Sequence, residues 1–160
     1  MTDRTVLHST FTLERAYPAA PARVFAAWAD PAAKARWFAA GSEHELDFRA
    51  GGRERLHRPA GQGRPALTFE SMYQGIVPDE RIVYTSSLSA DAYLATVSLT
   101  TVQFGPDGDG TRLVLTEQGT YLDGREEPAW REQGTGDWLA ALAAELTGAP
   151  AGGPLRPRTG

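Results

Sequence analysis

The sequence predicts an α+β domain: a curved antiparallel sheet of about seven strands around one long C-terminal helix, with two short helices after the first strand. Three observations predict it. Period-two alternation between turn signals fills residues 45–121. Helical spacing of apolar residues occurs only in 21–39 and 128–147. The links between consecutive strands are too short for anything but antiparallel pairing. A sheet with one apolar face needs a cover, and the C-terminal helix is the element long enough to supply it.

Taken in order, residues 7–17 alternate at Phe11 and Leu13 and read as a strand, which Pro18 and Pro21 interrupt. Pro21 suits a helix start, and Val24, Phe25 and Trp28 follow at helical spacing over 21–30. Asp30-Pro31 stops that helix, and Asp30 is placed to cap a second over 31–39, ended by Gly41. Glu45–Ala50 and Arg53–Arg58 flank Gly51-Gly52, a hairpin signal. A loop over 59–65 follows. Strands over 67–77 and 81–89 flank Pro78-Asp79-Glu80, and strands over 94–104 and 111–121 flank GPDGDG. In the last helix, 128–147, Trp130, Gly134, Trp138, Leu142 and Leu146 fall on or near one stripe. The domain therefore spans 1–147, and the Gly/Pro-rich stretch 148–160 reads as a disordered tail. A long helix gripped by a strongly curved sheet cannot fill the whole concavity, so a pocket between them is expected.

Composition narrows the chemistry. The 160 residues suit one domain able to bury about 70% of its unfolded surface. There is no cysteine, so disulfides, thiolate metal sites and thiol catalysis are excluded, and a cytoplasmic location is expected. No run of apolar residues is long enough to span a membrane. A net charge of -4 argues against nucleic acid as a partner. Fifteen of the sixteen basic residues are Arg, a bias of GC-rich, bacterial genomes. His8, His44 and His57 lack metal-ligand spacing, and nucleophile-elbow and dinucleotide signatures are absent, so neither metal nor cofactor is expected.

The stretch LDFRAGGRERLHR, 46–58, holds a Gly-Gly pair among arginines. It lacks the Lys and following helix of a phosphate loop, and reads as a turn between strands. The pleat then points Leu46 and Phe48 inward and Asp47 and Arg49 outward. Across the turn, the same alternation points Glu54 and Leu56 inward, unless a bulge turns Glu54 outward to pair with an Arg. Glu117 shares a face with Leu113 and Leu115 and is expected to point toward the pocket. An inward carboxylate there has three fates: pairing with an Arg, accepting hydrogen bonds from a hydroxyl or amide, or staying protonated. If both are inward, the two carboxylates are positioned to share a proton or to bind a cationic or hydroxylated ligand.

Five segments in order, PARVFAAWADPAAKARWF (21–38), LDFRAGGRERL (46–56), YQGIVPDERIVYT (73–85), GDGTRLVLTEQG (108–119) and GDWLAALAAEL (136–146), resemble one family. It is the branch of the START-like, or SRPBCC, superfamily named for the activator of heat-shock-protein-ninety ATPase. The resemblance implies the helix-grip fold shared with the birch-pollen allergens, and a hydrophobic cavity. Relatives bind lipids, plant hormones or polyketides, and some are aromatases or cyclases. The ATPase-activating role belongs to a eukaryotic member with a further N-terminal domain and is not carried over. The branch has no universal catalytic residues to transfer.

The expected function is binding of a small apolar or aromatic molecule, without catalysis. The expected ligand contacts are Trp37, Phe38, Phe48, Glu54, Leu56 and Phe69, followed by Tyr73, Tyr84, Leu115, Glu117, Gly134 and Trp138. Trp37, Phe38 and Trp138 lead among them, because in this fold the second helix ends at the pocket mouth and the C-terminal helix covers it. Two alternatives stand beside it. One is a polyketide-type cyclase or dehydratase using Glu117 or Glu54 as acid/base. The other is a protein-interaction or chaperone-regulator module. A homodimer is a common solution in this fold class.

Overall fold

The computed structural model describes residues 4–148; most of the 148–160 tail therefore lies outside the described residues. The chain forms β1 (Val6–Tyr17), α1 (Pro21–Ala29), α2 (Pro31–Lys34), a π-helical turn (Ala35–Ala39), β2 (Glu43–Leu46), β3 (Arg53–Arg58), β4 (Leu67–Val77), β5 (Arg81–Ala90), β6 (Tyr93–Asp107), β7 (Gly110–Leu122) and α3 (Pro128–Leu146). The seven strands make one antiparallel sheet in the order β1-β7-β6-β5-β4-β3-β2. Strands β2 to β7 are therefore a meander, and β1 closes against β7. The two short helices carry the chain from one edge of the sheet to the other. This is the helix-grip α+β architecture.

Local chemistry sets the boundaries. Asp30 caps α2, its carboxylate accepting from the Ala33 N–H at 3.2 Å. The helix expected over 31–39 changes pitch after Lys34 into the π turn and stops at Ala40, which takes a left-handed φ of 47° ahead of Gly41. Pro106 is accommodated in β6 because the pairing of β6 with β5 ends at Gln103, so no donor is needed there. Its hairpin with β7 is shorter than GPDGDG: the strands run on to an Asp107↔Gly110 pair.

The β2–β3 connection departs from the expected two-residue hairpin. β2 ends at Leu46, and Asp47–Gly52 form a folded loop in which the Gly52 N–H donates to Arg49 and the Asp47 N–H to Arg53. Both glycines are bonded across to β4: Gly51 N–H donates to the Tyr73 carbonyl at 2.7 Å, and Tyr73 N–H donates to that of Gly52 at 3.0 Å. Phe48 leaves the strand but still turns inward, packing edge-on against Phe25 and Tyr73. Asp47 and Arg49 stay in solvent and pair with each other.

On α3 the fully buried residues are Arg131, Thr135, Leu139 and Leu142; of the expected stripe, Leu142 is among them and Trp138 and Leu146 pack against the core, but Trp130 is 61% exposed. The Tyr17 hydroxyl donates to the Leu139 carbonyl at 2.9 Å and fastens β1 to the helix. The rest of the core combines aliphatic residues such as Val24, Ile82, Val102 and Leu113 with many aromatic rings. Phe25, Trp28, Trp37 and Phe104 interlock between the short helices and the sheet, with Trp37 Nε1 donating to the Ala27 carbonyl.

A Cβ at Gly52 would fall 2.1 Å from the Asp47 carbonyl oxygen, whereas one at Gly75 meets nothing within 4 Å. Gly52→Ala is therefore expected to lower unfolding stability by about 2 kcal/mol or more. Gly75→Ala should stay within about 0.5 kcal/mol. Urea denaturation of the two variants checks the pair.

Candidate functional site

Residues paired across neighbouring strands share a face, so the register defines what the concave surface carries. One inward row runs Glu54, Ser71, Ser86, Ser98, Gly119 across β3 to β7. The next runs Tyr73, Tyr84, Thr100, Glu117 across β4 to β7. Both carboxylates lie inside, Glu54 at 2% exposure and Glu117 at 5%. A buried carboxylate is costly unless paired and hydrogen-bonded, and each has its own solution.

Glu54 is held by three elements besides its own strand. Lys34, at the end of α2, donates from Nζ to Oε1 at 2.6 Å. The Tyr73 hydroxyl on β4 donates to the same oxygen at 2.9 Å. His44 Nε2 on β2 lies 2.7 Å from Oε2. Lys34 is 1% exposed and is the only lysine in the chain. Its ammonium sits 5.2 Å from the centroid of Trp28 and 4.7 Å from that of Phe38, within cation–π reach. Burial alone would raise the Glu54 pKa, but Lys34, His44 and Tyr73 outweigh it and hold the carboxyl at about 2. Burial lowers the pKa of Lys34, opposed by Glu54. Three groups converging on one carboxylate make Glu54 the ionised partner, and Lys34 is its counter-ion.

Glu117 meets the first two of the fates open to it. Arg131 Nε on α3 donates to Oε2 at 2.9 Å, and the Thr100 hydroxyl donates to Oε1 at 3.0 Å. Arg131, itself 5% exposed, also donates to Ser98 Oγ at 3.2 Å and faces Glu126 at 3.5 Å. Burial works against its charge, yet Glu117 and Glu126 outweigh that and raise its pKa. Tyr73 and Tyr84 lie between the two ion pairs, ring centroids 5.8 Å apart. Burial first, and the nearby carboxylates second, push both phenols far above their usual range, so they stay neutral. The two carboxylates thus have separate cations and do not share a proton.

Beside this polar seam, between β3–β5, the π turn and α3, lies a cavity of about 400 Å³. Phe38, Phe69 and Trp138 form one wall, with Phe38–Trp138 centroids 4.5 Å apart. Leu56, Leu67 and Leu88 continue it from the sheet. Gly134 opens the helix side, where a Cβ would meet nothing within 4 Å. The polar groups in the wall include Arg58, Glu126 and Arg131. A second hollow of about 540 Å³, between β1 and the start of α3, is lined largely by polar residues such as Arg15, Glu132 and Asp137. Its polar lining, which includes none of the aromatic wall residues, makes it a surface groove. Among the described residues no group of three or more His, Asp or Glu is placed to hold a metal ion. No helix there is long and apolar enough to cross a membrane.

Of the residues expected at the ligand, Phe38, Leu56, Phe69, Gly134 and Trp138 line this cavity. Trp37 and Leu115 are packed in the core, and Phe48 packs against it. Glu54, Tyr73, Tyr84 and Glu117 form the polar seam alongside. Sequence reasoning missed Lys34, His44 and Arg131. A signal existed for the first: a lone lysine in a chain that otherwise uses arginine.

A curved sheet gripping a helix over an internal cavity defines the class, a START-like domain. The chain matches the family described as activator of Hsp90 ATPase homolog 1-like protein over residues 18–147, and belongs to it. The Mll3558 protein of Rhizobium loti is similar at 47% identity, with a TM-score of 0.82 over 88% of this chain and 99% of that one. An uncharacterized protein of Rhizobium leguminosarum is similar at 38% identity, with a TM-score of 0.86 over 91% and 99% of the two chains. Protein CV1439 of Chromobacterium violaceum follows at 30% identity and a TM-score of 0.71, over 86% and 96%. No curated protein matches the chain.

Removing one member of a buried ion pair strands the other. Lys34→Met is expected to cost roughly 3–5 kcal/mol. Lys34→Met/Glu54→Gln should recover part of that, which a double-mutant cycle in urea measures. The acid limb follows from Glu54. Its folded pKa of about 2 lies below the unfolded value, so its contribution is fully present above roughly pH 4.3 and is lost as pH falls through 2. Glu54→Gln should flatten that part of the stability–pH curve; an unchanged slope would remove Glu54 as its source.

Proposed function

We propose that the chain binds a small hydrophobic or aromatic molecule in the cavity between the sheet and α3, and does not transform it. The observation that carries this reading is the cavity itself. Its volume of about 400 Å³ and its wall of Phe38, Phe69, Trp138 and leucines match the size and apolar lining of small-molecule sites, with few polar groups to fix orientation. An acid or base must reach the atom it protonates or deprotonates. Glu54 and Glu117 each spend their oxygens on a buried cation and neighbouring hydroxyl groups. That supports binding over acid/base catalysis by either residue.

Trp138 lies in the cavity wall and the exposed Trp130 at its rim, so tryptophan fluorescence reports occupancy. Titration with an apolar aromatic such as naphthalene should quench it, and Gly134→Leu, which fills the open side, should weaken binding at least about tenfold. The variant should melt no lower than about 2 °C below the parent. Native mass spectrometry of protein purified from its own host should show a co-purified ligand. Absence of both quenching and co-purified mass would overturn the reading.

A further inference from the structure

The polar end of the cavity has unused hydrogen-bonding capacity of both signs. A guanidinium has five N–H donors. In Arg131 one donates to Glu117, one to Ser98, and a third faces Glu126 across 3.5 Å, too far for a strong bond. The remaining two have no acceptor among the described residues, although the side chain is 5% exposed and lines the cavity. Glu126 is the complement. Its Oε1 accepts from the Thr96 hydroxyl at 2.6 Å, which fixes the carboxylate in place, and Oε2 has no donor among the described residues. It too lines the cavity. A donor and an acceptor thus stand side by side next to an aromatic wall.

We infer that the cavity selects aromatic molecules bearing a free hydroxyl, with Arg131 donating to the hydroxyl oxygen and Glu126 accepting its proton-bearing end. This rests on the cavity-binding reading and names its ligand class. The alternatives fit the pair less well. A hydrocarbon displaces water from both groups and gives neither a partner. An ether or ketone satisfies Arg131 and leaves Glu126 without a donor. A carboxylate is drawn to Arg131 and repelled by Glu126 beside it. The rings Phe38, Phe69 and Trp138 favour a flat aromatic body in edge or offset contact.

The test compares four probes of one shape by isothermal titration at neutral pH: 2-naphthol, naphthalene, 2-methoxynaphthalene and 2-naphthoate. The expected result is 2-naphthol bound at least about tenfold more tightly than each of the others. Arg131 variants break the pair with Glu117 and report on folding, so Glu126→Ala is the informative change. It should erase the preference for 2-naphthol over 2-methoxynaphthalene. Equal affinities for all four probes, or a preference that survives Glu126→Ala, overturn the hydroxyl assignment and leave cavity binding standing. Tightest binding of 2-naphthoate, lost in Arg58→Ala, overturns it in favour of a carboxylate ligand held by Arg58. No binding of any probe, with Gly134→Leu indistinguishable from the parent, overturns the inference together with the cavity reading it rests on.

Discussion

The buried Lys34–Glu54 pair holds the architecture together at its weakest point. The connection from β1 to β2 must cross the whole sheet, and it does so on two short helices and a π turn that have little helix-forming length of their own. Glu54 takes contacts from α2, β2 and β4 through Lys34, His44 and Tyr73, so one carboxylate on β3 ties the crossover to the far edge of the sheet. Aromatic rings close over the ammonium and keep water from it. The attraction is strong because the surroundings are apolar, and the same surroundings make either charge costly without the other.

The second pair sets the rotation of α3. Arg131 reaches Glu117 only if its own face turns inward, and that brings Thr135, Leu139 and Leu142 in with it and leaves Trp130 outside. The same rotation presents Gly134 and Trp138 to the cavity. Electrostatics therefore shapes the apolar pocket indirectly: one ion pair anchors the π turn that carries Phe38, and the other aims the helix that carries Trp138. Tyr73 and Tyr84 stand between the pairs, neutral and fully packed.

Much of the fold was legible because it depends on local signals. Prolines at helix starts, glycines at turns and period-two alternation placed all seven strands and the long helix to within a few residues. The inward faces of Leu56 and Glu117 followed from alternation alone. The errors have a common physical origin. Alternation through Phe48 implied a longer β2, but Phe48 reaches the core from a loop, and backbone bonds to Tyr73 decide where the strand stops. The hydropathy stripe on α3 favoured Trp130 because no apolar pattern admits Arg131 as the most inward residue of its turn. Lys34, His44 and Arg131 meet their carboxylates through sheet register and helix packing, and spacing along the chain carries no trace of those contacts.

The single lysine makes the central claim directly measurable. With 15N-labelled lysine the protein gives one Nζ signal, and its shift and proton exchange report charge and partner. The account predicts a protonated ammonium at neutral pH, exchanging slowly with water, whose signal moves in Glu54→Gln. A neutral amine, or an ammonium in fast exchange that is indifferent to Glu54, would contradict the claim that this ion pair anchors the crossover and takes Glu54 out of the chemistry of the pocket.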